Sequence, residues 1–156
     1  MVLSFLTFIH ILCGLVGIGS GAVVLLGMLK RELFGTSAAV FLSCSLVVSV
    51  TGFLFPCSHL LPTHGAAMLG IYVAAMAIPA WRMFYLVGMW SSIFALSIIV
   101  ILGLDTLVAV AHAFTFMPVL RNLAPAQTES PFLVTEFVVM LVFVVLSVIA
   151  VKRFRN

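Results

Sequence analysis

Long apolar segments dominate this sequence and restrict the folds open to it. Five runs of about 20 residues or more carry almost no charge, and short polar linkers separate them. A helix that crosses a hydrocarbon core about 30 Å thick needs roughly 20 apolar residues, since each residue adds 1.5 Å. The chain is therefore predicted to be an all-α, polytopic transmembrane helical bundle in which residues 1–156 form a single transmembrane domain.

The spanning helices are predicted at residues 3–29, 36–55, 63–81, 89–117 and 132–151. Pro56 ends the second helix because proline cannot donate to the hydrogen-bond ladder. Ser130 and Pro131 open the fifth as a cap followed by proline at the first helical position. The third and fourth helices are the least clearly separated, since residues 82–88 are barely polar and Pro79 can end a helix early, so a four-span alternative stays open.

Composition excludes a soluble domain and a nucleic-acid-binding protein. Only 7% of the residues are charged and 65% are hydrophobic, whereas soluble domains carry about 25% charged residues. Nucleic-acid binders gather basic residues on one face, and the seven Lys and Arg of this chain are dispersed. The predicted surroundings of the chain are a lipid bilayer.

Basic residues predict the orientation, because loops rich in Lys and Arg stay on the cytoplasmic side. Six of the seven basic residues fall on one side of the five-span topology: Lys30, Arg31, Arg82, Lys152, Arg153 and Arg155. Arg121 alone falls on the other side. The N-terminus is therefore predicted outside and the C-terminus in the cytoplasm, which also places Trp81, Tyr85 and Trp90 at the cytoplasmic boundary, where amphipathic rings are favoured.

Ionisable residues inside the spans are the candidates for function, since each costs about 2.5–3.5 kcal/mol at a helix centre. They are His10, Asp105, His112 and Glu136. His10, His112 and Glu136 are all predicted about 8–10 Å below the outer surface. His64 opens the third helix on the same side, and Asp105 lies two turns from His112 on one helix face.

Three chemistries and one structural interpretation fit these residues. Imidazoles of His10, His64 and His112 are candidate ligands of a b-type haem. His10, His112 and Glu136 match a two-histidine, one-carboxylate site for a divalent metal such as iron or zinc. Asp105 is a candidate proton relay reached through His112. In the structural interpretation His10 and His112 bond backbone carbonyls or each other, Glu136 extends to the interface and Asp105 pairs with a hydroxyl.

Glycines of the first helix allow two interpretations. Gly14, Gly17 and Gly21 share one face, which lets a neighbouring backbone approach closely or forms a wall for a flat cofactor. Cys13 and Cys44 are predicted to be small apolar fillers within helices. Cys57, in an outer loop with His59, is a metal ligand, an interchain partner or an inert thiol.

Several motifs resemble small predicted bacterial membrane proteins of unknown function. The motifs are His10 followed by Gly14 and Gly17, TGFLFP at 51–56, Pro62-Thr63-His64, Leu123-Ala124-Pro125 and ESPF at 129–132. The resemblance implies a multi-pass protein of the bacterial inner membrane and supplies no activity. It also implies amides at the positions of Asp105 and His112, which favours His10 and His64 as the ligand pair.

Three functions follow as hypotheses. The first is a haem- or metal-binding, redox-linked membrane protein. The second is an accessory subunit that packs into a larger membrane complex or forms a homo-oligomer through its small residues. The third is a small proton-coupled transporter driven by Asp105. No nucleophile–base set or phosphate-binding loop occurs, so a hydrolase or kinase is not expected, while a cofactor-dependent oxidoreductase stays open.

Overall fold

A computed structural model of the chain describes residues 2–55 and 62–154. These ranges contain helices and no β-strand. The helices are α1 (Val2–Leu29), α2 (Gly35–Gly52), α3 (Pro62–Arg82), α4 (Met89–Phe116), α5 (Pro118–Leu123) and α6 (Ser130–Phe154). All except α5 are long and apolar enough to cross a membrane. The prediction of five spans is confirmed, and the four-span alternative is wrong.

The second span ends earlier than the sequence predicts. Helix α2 stops at Gly52, whereas residue 55 is the predicted end. Phe53 and Leu54 donate their N–H groups to the carbonyls of Val50 and Thr51 at 3.2 and 3.0 Å, which tightens the final turn. Such three-residue bonds are common where a helix ends. The predicted linker that follows, with Cys57 and His59, lies outside the described residues.

Pro79 and Pro118 both lie in helices, whereas the sequence allows a helix end at Pro79 and predicts a linker at Pro118. Pro79 lies inside α3, which continues to Arg82, and the Pro79 carbonyl still accepts the N–H of Met83 at 2.9 Å. Neighbouring helices let a membrane helix tolerate proline. Pro118 begins the short helix α5, although residues 118–131 are predicted to be a linker only. Proline suits the first helical position because its missing N–H needs no partner there.

The connection from α5 to α6 is tied to α4 by side chains. The Gln127 amide donates from Nε2 to the Ala111 carbonyl at 2.7 Å and to Thr115 Oγ1 at 2.9 Å. Glu129 Oε1 accepts the backbone N–H of Ala126 at 3.2 Å. Desolvation raises the pKa of Glu129, but backbone N–H donors of the same turn outweigh it and leave this pKa below its ordinary value.

Helices α1 to α4 form a ring in chain order. Each of them packs against the next, and α4 also packs against α1, so α2 and α4 lie diagonally opposite. Helix α6 lies outside the ring, mainly against α4. Gly103 lets α4 and α6 approach closely, since a Cβ at this position would lie 3.2 Å from the Phe143 ring.

The basic residues of the spans gather at one end, which we call the basic end (Lys30, Arg31, Arg82, Lys152 and Arg153). Arg153 Nη1 donates to the Leu29 carbonyl at 3.3 Å, which joins the last turns of α6 and α1. The Phe94 ring lies 6.2 Å from both Phe154 and Trp81, measured between ring centroids. The starts of α2 and α4 and the ends of α1, α3 and α6 therefore share this end. Helix α5, with Arg121, follows the opposite end of α4.

The tightly packed core occupies the half of the bundle next to the basic end. Val24, Met28, Phe41, Phe94 and Ile98 are fully buried there. In the other half, by contrast, most side chains of α4 beyond Gly103 are only half-buried. The bundle is thus close-packed in one half and more open in the other.

Candidate functional site

A cavity of about 610 Å³ lies between α1, α2, α3 and α4 in the half away from the basic end. Its volume falls within the roughly 300–1,000 Å³ typical of sites for small molecules and cofactors. Most of its lining is apolar, but His10, His64, Asp105 and His112 all reach it. Four of the five predicted site residues therefore converge on one cavity from three different helices.

His10 of α1 is held by Thr51 of α2. Its Nδ1 atom lies 2.8 Å from Thr51 Oγ1. A hydroxyl has one hydrogen, and Thr51 places it on the Val47 carbonyl one turn back, at 2.7 Å. Thr51 Oγ1 therefore accepts from Nδ1–H, and we assign the tautomer in which Nε2 of His10 carries a lone pair. A histidine fixed in this way is prepared to bind a metal or a proton.

The His10 and His112 rings lie close together in the cavity, in an edge-on arrangement. Their ring centroids are 6.4 Å apart and the ring planes cross at 80°. Phe55 contacts the His10 ring edge-on at 5.2 Å, and Phe116 stacks beside His112 at 6.0 Å. A metal held by two imidazole nitrogens at ~2 Å lies ~3 Å from each centroid, so two opposed ligands stand ~6 Å apart. The observed centroid spacing is of this size.

His64 lines the same cavity from α3. The residue is buried, and its ring lies 5.5 Å from that of Phe53. The ring contact within the cavity thus joins His10 to His112, whereas the resemblance favoured His10 with His64.

Asp105 lines the cavity and is bonded to Ser45 of α2. The Ser45 hydroxyl donates to Asp105 Oδ2 at 2.6 Å. This bond joins α2 to α4 across the diagonal of the ring. Below it, the Gly21 position of α1 meets both Phe41 and Leu102, since a Cβ there would lie 2.8 Å from each. Close-packed apolar side chains therefore lie on the side of the Ser45–Asp105 bond nearer to the basic end.

Small residues let the helices approach one another around the cavity. A Cβ at Gly70 would lie 3.1 Å from Ser49 Oγ, and one at Gly52 would lie 3.9 Å from His10 Cε1. Gly14 lines the cavity, while Gly17 packs against Cys44. Gly14 thus borders the cavity, whereas Gly17 allows α1 and α2 to approach closely.

Glu136 is the predicted site residue that does not reach the cavity. It lies on α6, outside the ring, and its Oε1 atom is buried with no hydrogen-bond partner among the described residues. Within residues 2–55 and 62–154, no three His, Cys, Asp or Glu side chains are grouped as ligands of a metal ion. The ligand set of His10, His112 and Glu136 is thus not assembled in this structure.

Three contributors to the site were missed in the sequence. Thr51, Phe55 and Phe116 surround the two imidazoles. Thr51 and Phe55 belong to the TGFLFP motif, which supported the resemblance but predicted no site residue. Their role depends on which helix faces which, and a single sequence does not contain that information.

In comparisons with known proteins, no family model matches the chain, and no curated protein or solved structure matches it.

Proposed function

We propose that this integral membrane protein binds a b-type haem in the cavity, with His10 and His112 as the two axial ligands, and takes part in electron transfer. The observation that carries the proposal is the pair of imidazoles on one cavity, with ring centroids 6.4 Å apart and with Thr51 holding His10 so that its Nε2 atom carries a lone pair. Haem iron bound by two histidines serves electron transfer, because both axial positions are filled by protein.

Haem suits this cavity better than a bare metal ion. A structural or catalytic ion needs three or four protein ligands, and the described part of the chain gathers no group of three. The porphyrin supplies four nitrogens, so two imidazoles complete the coordination. The largely apolar lining favours a large flat macrocycle, and Gly14 leaves room for it along α1.

The location of the protein is part of the same proposal. The resemblance of the TGFLFP and ESPF segments to bacterial proteins supports an inner-membrane location. The distribution of basic residues supports a cavity in the outer half of the bilayer. The structure favours this function over a transporter driven by Asp105, because close-packed side chains lie between Asp105 and the basic end.

A haem titration of the detergent-purified protein tests the proposal. We expect wild type to bind one haem with the absorption spectrum of bis-histidine, low-spin iron, and His10→Gln and His112→Gln to lose that spectrum. His64→Gln is the matched control, a buried imidazole on the same cavity that keeps the spectrum. A wild-type protein that binds no haem, or a His112→Gln variant with the wild-type spectrum, contradicts the proposal.

A further inference from the structure

Asp105 is the deepest polar group of the cavity. It lies near the middle of α4 and contributes to the cavity lining, while Ser45 donates to its Oδ2 atom at 2.6 Å. A donor to a carboxylate oxygen stabilises the charged form, and burial in an apolar bundle opposes it. Because the two effects oppose each other, a change in nearby charge can alter the protonation state of Asp105.

The other carboxyl within the spans is placed differently. Glu136 does not line the cavity, and its Oε1 atom is buried away from solvent without a partner among the described residues. Protons from the cavity therefore have access to Asp105 and not to Glu136. This pair of carboxyls offers a test residue and a matched control.

We propose that Asp105 is the proton acceptor of this cavity: its carboxylate takes up one proton when the centre held by His10 and His112 gains one electron. The step is balanced, since ferric haem, one electron, one proton and the carboxylate yield ferrous haem and the carboxylic acid. An external reductant supplies the electron, and the proton enters through the cavity. The inference rests on the proposed haem site and adds a proton to its reaction.

Distance and dielectric set the size of the coupling. Asp105 and His112 are seven residues apart on one helix face. That spacing corresponds to a rise of ~10 Å along α4, which sets the scale of the distance between the carboxylate and a centre held by His112. A unit charge ~10 Å away, at an effective dielectric constant of ~20, changes a proton affinity roughly tenfold. The added electron therefore raises the proton affinity of Asp105 by a measurable amount.

Other titratable groups face the same region from each packed helix. They are His10 on α1, Cys44 on α2, His64 on α3, and His112 on α4 itself, while Glu136 of α6 lies outside the cavity. Both axial histidines are withdrawn from titration when they bind iron. His64 and Cys44 are unchanged in an Asp105→Asn variant, so a comparison with wild type isolates the carboxyl.

Redox titration of the haem-loaded protein over a range of pH tests the inference. We expect the wild-type midpoint potential to fall as pH rises, by ~60 mV in total, because a tenfold change in an equilibrium constant corresponds to ~59 mV for one electron. Asp105→Asn abolishes this fall while still accepting the Ser45 hydrogen bond, and Glu136→Gln retains it. An undiminished fall in Asp105→Asn overturns the inference and leaves the haem proposal standing.

Infrared difference spectra of the protein without haem provide a second measurement. We expect a carboxylic acid band that appears as pH falls, shifts in heavy water and is absent from Asp105→Asn. A wild-type protein without such a band overturns the inference whatever the haem titration shows. Failure of wild type to bind haem overturns the proposed function itself, and it is detected by absorption before any potential is measured.

Discussion

Among single residues, the hydrogen bond between His10 and Thr51 fixes the orientation of the His10 ring. The Thr51 hydroxyl donates within its own helix, so it presents only a lone pair to His10 Nδ1. This contact between α1 and α2 therefore determines the tautomer of His10. Partners of this kind orient a ligating histidine and increase its basicity.

Replacement of Thr51 by valine tests this role, because valine keeps the shape and removes the acceptor. We expect Thr51→Val to weaken haem binding roughly 10–100-fold, the usual effect of losing a partner of a ligating histidine. Thr106→Val is the control, since Thr106 also bonds back within its own helix, to Leu102. Equal affinities in wild type and Thr51→Val, measured by absorbance titration, would remove Thr51 from the site.

At the scale of elements, the glycine face of α1 changes its role along the helix. Near the histidines, Gly14 borders the cavity, and two turns further on Gly21 lets α1 touch α2 and α4 together. The change occurs at the depth of the Ser45–Asp105 bond. Helix α1 thus borders the cavity in one half of the bundle and belongs to the close-packed core in the other half.

Alanine at Gly21 tests this close approach. The atoms that its Cβ would meet belong to Phe41 and Leu102, which are buried and have no room to withdraw. We expect Gly21→Ala to lower the free energy of unfolding in detergent by ~1–3 kcal/mol, the cost of overpacking a core. Gly19→Ala is the matched control, because nothing lies within 4 Å of its Cβ position. A Gly21→Ala variant as stable as Gly19→Ala would contradict the packing described.

At the scale of the whole molecule, the bundle has two unlike ends. The basic end is close-packed and carries Lys30, Arg31, Arg82, Lys152 and Arg153. The opposite half contains the cavity and is followed by α5, with Arg121. Because positive loops stay in the cytoplasm, this asymmetry predicts that the cavity faces the outer leaflet.

Labelling of single cysteines in intact cells measures this orientation. In a background in which Cys13, Cys44 and Cys57 are replaced by serine, we expect a membrane-impermeant thiol reagent to modify Arg121→Cys and not Arg31→Cys. After the cells are permeabilised both variants react, which controls for accessibility. Labelling of Arg31→Cys alone in intact cells would reverse the orientation.

The sequence predicted much of the fold because the bilayer leaves few alternatives. Five apolar runs predicted five spans, and the observed helix ends lie within a few residues of the predicted ones. The short helix α5 was missed, since six residues produce no periodicity and only Pro118 indicated its start. Depth along each helix also predicted that His10 and His112 lie at one level, and their rings are in contact.

The class of protein, the number of spans and the depth of each polar residue could be predicted from the amino-acid sequence, because they depend on hydrophobic length along one chain. Which polar residues meet depends on how the helices pack. It placed His112, Thr51 and Phe55 around His10, joined Ser45 to Asp105 and left Glu136 outside the cavity. Residues at equal depth come together only when the helices are neighbours and are rotated so that those residues point towards one another. Close packing between helices determines the order and the rotation of the helices, through small residues such as Gly21 and Gly70.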